Sequence, residues 1–139
     1  MLPSIPPELD ELRGRLRRFL EELRPREAEA SEEGALPPSL AQEIRRRARE
    51  AGFYSIGVAK ADGGGGLGPL GLALLREEIA YQGSPFGRQV LGGGVGVMSA
   101  CRGEQRERYL LPVVRGEKSY SFALTEPRSH SAVSGLQTV

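Results

Sequence analysis

"GEQRERYLLPVVRGEKSYSFALTEP", Gly103 to Pro127, changes its hydrophobic period partway along. The opening "GEQRERYLLP" reads as a short amphipathic helical piece that ends at Pro112, because proline lacks the amide a continuing helix needs. Beyond "VVRGEK", Tyr120, Phe122 and Leu124 alternate with small residues, the period of two that belongs to a strand. The regular elements upstream all read as helix, so this stretch marks a change of architecture. The predicted class is mainly α, followed by one or two strands.

Upstream, Leu9, Leu12, Leu16, Phe19, Leu20 and Leu23 recur every three or four residues and lay one apolar stripe along a helix that Pro6 and Pro7 introduce and Pro25 ends. Arginines and glutamates of both signs occupy its other faces, which fits packing on a core rather than an anionic membrane surface. Residues 28–38 are acidic, small and bounded by proline, and read as a loop. Ser39 and Gln42 have the spacing of a capping box. A stripe of Leu40, Ile44, Ala48 and Ala51 follows, with Gly52 where a left-handed cap is wanted. Arg45 to Arg47 read as the solvated face of this helix. Pro69 suits the first turn of a third helix over 70–81, stopping near Gly83. A further helical segment is predicted over 87–100, and its glycines imply close approach by another helix or a ligand.

The four glycines at 63–66 invite comparison with a phosphate-binding loop. No Gly-Lys-Ser/Thr follows them, so they read as a flexible turn.

Composition narrows the function classes. The chain has 139 residues, enough for one domain with a second at most begun, and is 39% hydrophobic and 27% charged with a net charge of +1. That balance gives no basic field for nucleic acid. No apolar run approaches the ~20 residues of a membrane span, and no signal peptide precedes the first helix. The lone Cys101 excludes an internal disulfide and fits a reducing cytoplasm. Cys101 reads as a small buried residue rather than a nucleophile. With one histidine and no Cys/His cluster, no metal site is expected.

Three segments, in order and spacing, resemble the acyl-CoA dehydrogenase family, flavoenzymes that desaturate acyl thioesters. They are "EAGFYSIGV…GGGGLG" (Glu50–Gly68), "EQRERYLLPVVRGE" (Glu104–Glu117) and "FALTEPRSHSAVSGLQT" (Phe122–Thr138). The resemblance implies an N-terminal helical-bundle domain over residues 1–116 and the beginning of a truncated middle β-domain over 117–139. It implies FAD as cofactor, an acyl-CoA thioester as substrate and a homo-oligomer. Carried over by position, Phe122, Leu124 and Thr125 would lie along the flavin ring, and Ser131 would stand near both the cofactor's pyrophosphate and the bound thioester. Residues from about Phe86 to Gly94 would line the acyl pocket. The family's loop usually has glycine where His130 stands and aspartate where Ala132 stands.

The resemblance also implies a catalytic glutamate from a C-terminal bundle. None of Glu77, Glu78, Glu104 or Glu126 matches it, so no catalytic residue is assigned and the isolated chain is expected to be inactive. The alternative reading is a non-catalytic helical module that binds a partner or self-associates, which the altered loop residues His130 and Ala132 favour.

Overall fold

A computed structural model describes residues 4–31, 34–121, 123 and 125–126. Among these the chain is helical and contains no strand. Helix α1 (Pro7–Leu23) begins on a proline, whose missing amide costs nothing in a first turn, and buries Leu16, Phe19, Leu20 and Leu23. It runs into a 3₁₀ turn, Arg24–Glu29, so the segment expected to loop from Ala28 is partly helical.

Helix α2 (Pro38–Glu50) buries Leu40, Ile44 and Ala48, as its stripe predicts. The capping box does not form. Pro38, with its backbone angle already set for helix, starts the helix two residues early, leaving Ser39 inside the first turn with no side-chain cap. Gly52 takes the left-handed conformation, φ +80°, directly after the helix. Helix α3 (Pro69–Tyr81) likewise begins on its proline, and Gly83 turns the chain at φ +64°.

Helix α1 packs on α3, and α2 packs on α4 (Gly87–Leu91). Their stripes meet in one core with Phe53, Ile56, Leu75, Ile79, Phe86 and Val90. The Phe19 and Phe53 rings stand 5.4 Å apart and tilted. Arg47 covers the first ring and Arg15 the second, each with its guanidinium within 6 Å of the centroid. Each fully buried leucine of this core contributes about 1.5–3 kcal/mol.

The predicted helix over 87–100 breaks at Gly92, φ +70°, and only a 3₁₀ turn, Gly96–Ala100, follows. Three successive glycines, 92–94, offer too little helix propensity to carry it further. The last helical run has three parts: α5 (Gly103–Gln105), a π-turn (Arg106–Leu110) and α6 (Leu111–Val114). It does not stop at Pro112. The wide turn before the proline loosens the ladder that its ring would otherwise obstruct. The same turn aims Arg106 at the Asp62 carboxylate and the Ala61 carbonyl in the 3₁₀ turn Lys60–Asp62. Val58, Leu110 and Val114 form a second, smaller cluster, with Val95, Met98 and Cys101 packed against it. Cys101 is thus half-buried rather than buried.

The four glycines at 63–66 form a packed turn, not a flexible one. A Cβ on Gly64 would lie 2.3 Å from the Val58 carbonyl oxygen, and one on Gly65 would lie 2.8 Å from that of Ile56. All four amides donate to backbone carbonyls, those of Lys60, Ala59, Ser55 and Val58 in order. None is left to cradle a phosphate.

Candidate functional site

Between α2 and α3 the segment from Phe53 to Val58 crosses the molecule, and Ser55 is its anchor. Ser55 is buried and takes a left-handed conformation, φ 57°, which costs a non-glycine residue about 1–2 kcal/mol. Its surroundings hold it there. The hydroxyl donates to the Val114 carbonyl at 2.9 Å, the amide donates to the Leu91 carbonyl at 3.1 Å, and the carbonyl accepts from Val58 and Gly65. One residue thereby ties α6, α4 and the glycine turn together.

Tyr54, its neighbour, is wedged between two glycines. A Cβ on Gly92 would come within 3.2 Å of the ring, and one on Gly116 within 3.1 Å, so both positions admit the ring only as glycine. Burial raises the Tyr54 phenol above its ordinary pKa, against the opposing pull of Arg45 and Arg88.

The loop that begins at Gly92 separates two hollows. On one side is a slot of about 180 Å³ whose walls include Val58, Leu72, Leu91 and Val95, with Gly57 and Gly92 to Gly94 along its edge. On the other is a cleft of about 680 Å³ lined by Arg45, Tyr54, Arg88, Gln89, Gly93, Val113 and the non-helical stretch from Lys118 to Ser121. Gly93 borders both. A Cβ on Gly93 or Gly94 would meet nothing within 4 Å, so this rim is open. The Tyr120 hydroxyl donates to the Gly94 carbonyl and pins this stretch to the rim.

Of the residues that the resemblance assigns to a cofactor, Thr125 is described and exposed, a few residues beyond the stretch that walls the cleft. Phe122, Leu124 and Ser131 lie outside the described residues, as do His130 and Ala132. The predicted acyl-pocket region divides. Val90 and Phe86 are fully buried in the core, whereas Leu91 to Gly94 border the slot.

Glu78, one of the carboxylates weighed as a base, sits away from both hollows. Arg17 grips it through two hydrogen bonds of 2.8 and 2.9 Å, and Gln82 donates a third at 2.9 Å. The Arg17 hydrogen bond is the main cause holding its pKa below the ordinary glutamate value. This clasp joins α1 to α3 and is built for an ionised carboxylate, not for one that exchanges protons. Among the described residues no cluster of metal-ligating side chains occurs, and no helix is long and apolar enough to cross a membrane.

Sequence reasoning missed Ser55, Tyr54, Arg45 and Arg88. Of the three consecutive arginines, only Arg46 fits the solvated-face reading. Arg45 lines the cleft, and Arg47 covers Phe19 and pairs with Glu22.

Comparison with known proteins identifies the fold. Residues 6–117 match the family model for the acyl-CoA dehydrogenase N-terminal domain. The chain is 35% identical over 118 residues to the CarC subunit of the caffeyl-CoA reductase–Etf complex of Acetobacterium woodii, covering 79% of this chain and 29% of that protein. It is 32% identical over 101 residues to the 3-(aryl)acrylate reductase of Clostridium sporogenes, covering 70% and 27%. It is 31% identical over 108 residues to the mitochondrial isobutyryl-CoA dehydrogenase of Dictyostelium discoideum, covering 70% and 24%. The chain therefore spans less than a third of the length of these relatives. No solved structure gives a significant match. The chain belongs to the acyl-CoA dehydrogenase family, whose N-terminal helical domain its residues 6–117 form.

Proposed function

We propose that this chain is the N-terminal part of an acyl-CoA dehydrogenase-like flavoenzyme that interconverts an acyl-CoA thioester and its α,β-unsaturated form. The observation that carries the reading is the family match over residues 6–117, which ends a few residues before Thr125. In this reading the slot beside Gly92 to Gly94 receives the acyl group. Its volume of about 180 Å³ suits a short or aromatic group, since a cavity of about 150 Å³ is enough for benzene. Two relatives named for aryl substrates, the caffeyl-CoA and 3-(aryl)acrylate reductases, support the same size class.

The described part of the flavin segment fits such a cofactor in chemistry. The backbone and hydroxyl of the exposed Thr125 can hydrogen-bond the polar edge of a planar ring, and Phe122 and Leu124 would cover its face. Ser131 would stand by the pyrophosphate and thioester. Bound there, FAD would supply the acceptor for a hydride from the substrate's β carbon. The α-proton needs a carboxylate within roughly 2.6–3.2 Å, which no residue of this chain is assigned to provide, so the chain by itself is inactive in this reading.

Titration of the purified chain with FAD, followed by flavin fluorescence, tests the reading. Saturable binding weakened by Thr125→Ala supports a half-built cofactor site. Binding indifferent to Thr125→Ala counts against the assignment of that residue. Self-association belongs to the same proposal, because Leu70, Tyr81, Val97 and Tyr109 are large apolar side chains left exposed. A purely monomeric sedimentation profile at tens of micromolar would contradict it.

A further inference from the structure

We propose that the cleft bordered by Arg45, Arg88 and Lys118 is an oxyanion-binding site that takes a carboxylate or phosphate group of a ligand. The inference goes beyond the flavin reading and stands whether or not FAD binds.

The three cations come from α2, from α4 and from the stretch after α6, so only the tertiary fold brings them to one cleft. No aspartate or glutamate lines it. Ion pairs engage Arg13, Arg17, Arg26, Arg46, Arg47 and Arg106 and leave the other described arginines without a carboxylate. Among the described residues, Arg45, Arg88 and Lys118 form none. Glu43 and Glu117 line a separate groove that Arg45 also borders, and Arg26 already holds Glu43.

Arg45 carries a second mark. Its Nε is a buried donor without an acceptor, in a protein whose other buried side-chain polar atoms are satisfied among the described residues. Such groups are rare in native structures and call for a partner. A guanidinium presents its donors in a planar fork that matches the oxygens of carboxylate and phosphate. Like charges gathered around one cleft repel each other, and an anion between them reverses the sign of that interaction. Arg45 and Arg88 line the same cleft as Tyr54. With Tyr54 and Val113 as apolar wall and a volume of about 680 Å³, the cleft has room for more than a bare ion.

The test is calorimetric titration of the 139-residue chain in low-chloride buffer at neutral pH, with inorganic phosphate as one probe and benzoate as the other. At least one probe is expected to bind saturably. The double substitution Arg45→Gln with Arg88→Gln should weaken that binding by about tenfold or more, as loss of charged hydrogen bonds does. Lys118→Gln, outside every helix, should weaken it with the melting temperature unchanged. Arg18→Gln removes the same charge from an exposed position on α1 and should leave binding intact. Binding of phosphate alone assigns a phosphate-bearing ligand, and binding of benzoate alone a carboxylate; either supports the site. Absence of saturable binding by both probes overturns the proposal, as does a loss in Arg18→Gln equal to that in the double variant.

Discussion

The Ser55 hydroxyl donates to the Val114 carbonyl at 2.9 Å while the Ser55 backbone holds a left-handed conformation. A strained residue and the last turn of the last helix are thus joined by a single side-chain bond.

Two substitutions separate the strain from the bond. Ser55→Ala keeps the strain and leaves a buried carbonyl without its donor, a loss of about 1–3 kcal/mol. Ser55→Gly loses the same bond but removes the left-handed penalty of about 1–2 kcal/mol. Urea unfolding should therefore place Ser55→Ala below Ser55→Gly in stability. The reverse order would mean that the conformation is not strained.

The glycine turn and the cleft rim should respond oppositely to a methyl group. In Gly64→Ala the new Cβ meets Val58 backbone atoms at 2.3 and 2.6 Å, which cannot move aside cheaply. A loss of at least about 1–3 kcal/mol is expected, the usual cost of overpacking. At Gly93 nothing lies within 4 Å, and Gly93→Ala should change stability by no more than about 0.5 kcal/mol. Thermal melts of the two variants compare them directly.

The Glu78 clasp predicts a dependence on acid. Its folded pKa lies below the ordinary value, so its contribution is fully present above the unfolded glutamate pKa of about 4.3 and is lost as pH falls through the folded value. Glu29, held low by Arg26, adds to the same trend. Melting temperature measured from neutral pH into acid should fall below about pH 4. In Glu78→Gln the neutral-pH value should start lower and the acid slope should be shallower.

Tyr54 sets the alkaline limb. Its phenol is raised above the ordinary value of about 10, so the stability it confers is present below that value and lost as pH rises through the folded pKa. Tyr54→Phe should remove this limb and keep the neutral-pH melting temperature. Tyr54→Ala, which empties the wedge between Gly92 and Gly116, should cost about 1–3 kcal/mol. Phenolate absorbance during an alkaline titration checks the first statement and denaturation the second.

The helices were readable because their information is local. Apolar spacing located α1, α2 and α3 to within a residue or two, with a proline marking the start of α1 and α3 and a capping box that of α2. Competition between local signals produced the errors. At Pro38 the pre-set backbone angle overrode a capping box. At Gly92 helix propensity ran out before the apolar pattern did, and at Pro112 a π-turn carried the helix past a residue that normally ends one. The resemblance predicted the family from its quoted segments, and the match over residues 6–117 bears that out. The site was less readable, since Arg45, Tyr54, Ser55, Arg88 and Lys118 are brought together by tertiary packing and nothing in their spacing announces it. Of the residues given to the flavin, only Thr125 falls among those described.

The division of the interior into two clusters bears on how the molecule opens. The larger unites α1 to α4, whereas Val58, Leu110 and Val114 have only a few partly buried neighbours for cover. Cooperative units with few buried apolar contacts unfold at lower free energy than the rest. Residues 95–116 should therefore detach as a unit while the four-helix core stays folded. In hydrogen exchange the amides of Leu111 to Gly116 would lose protection before those at the centres of α1 and α3. The wall that supplies Val113 to the cleft is then its releasable side, and ligand capture and local unfolding draw on the same few contacts.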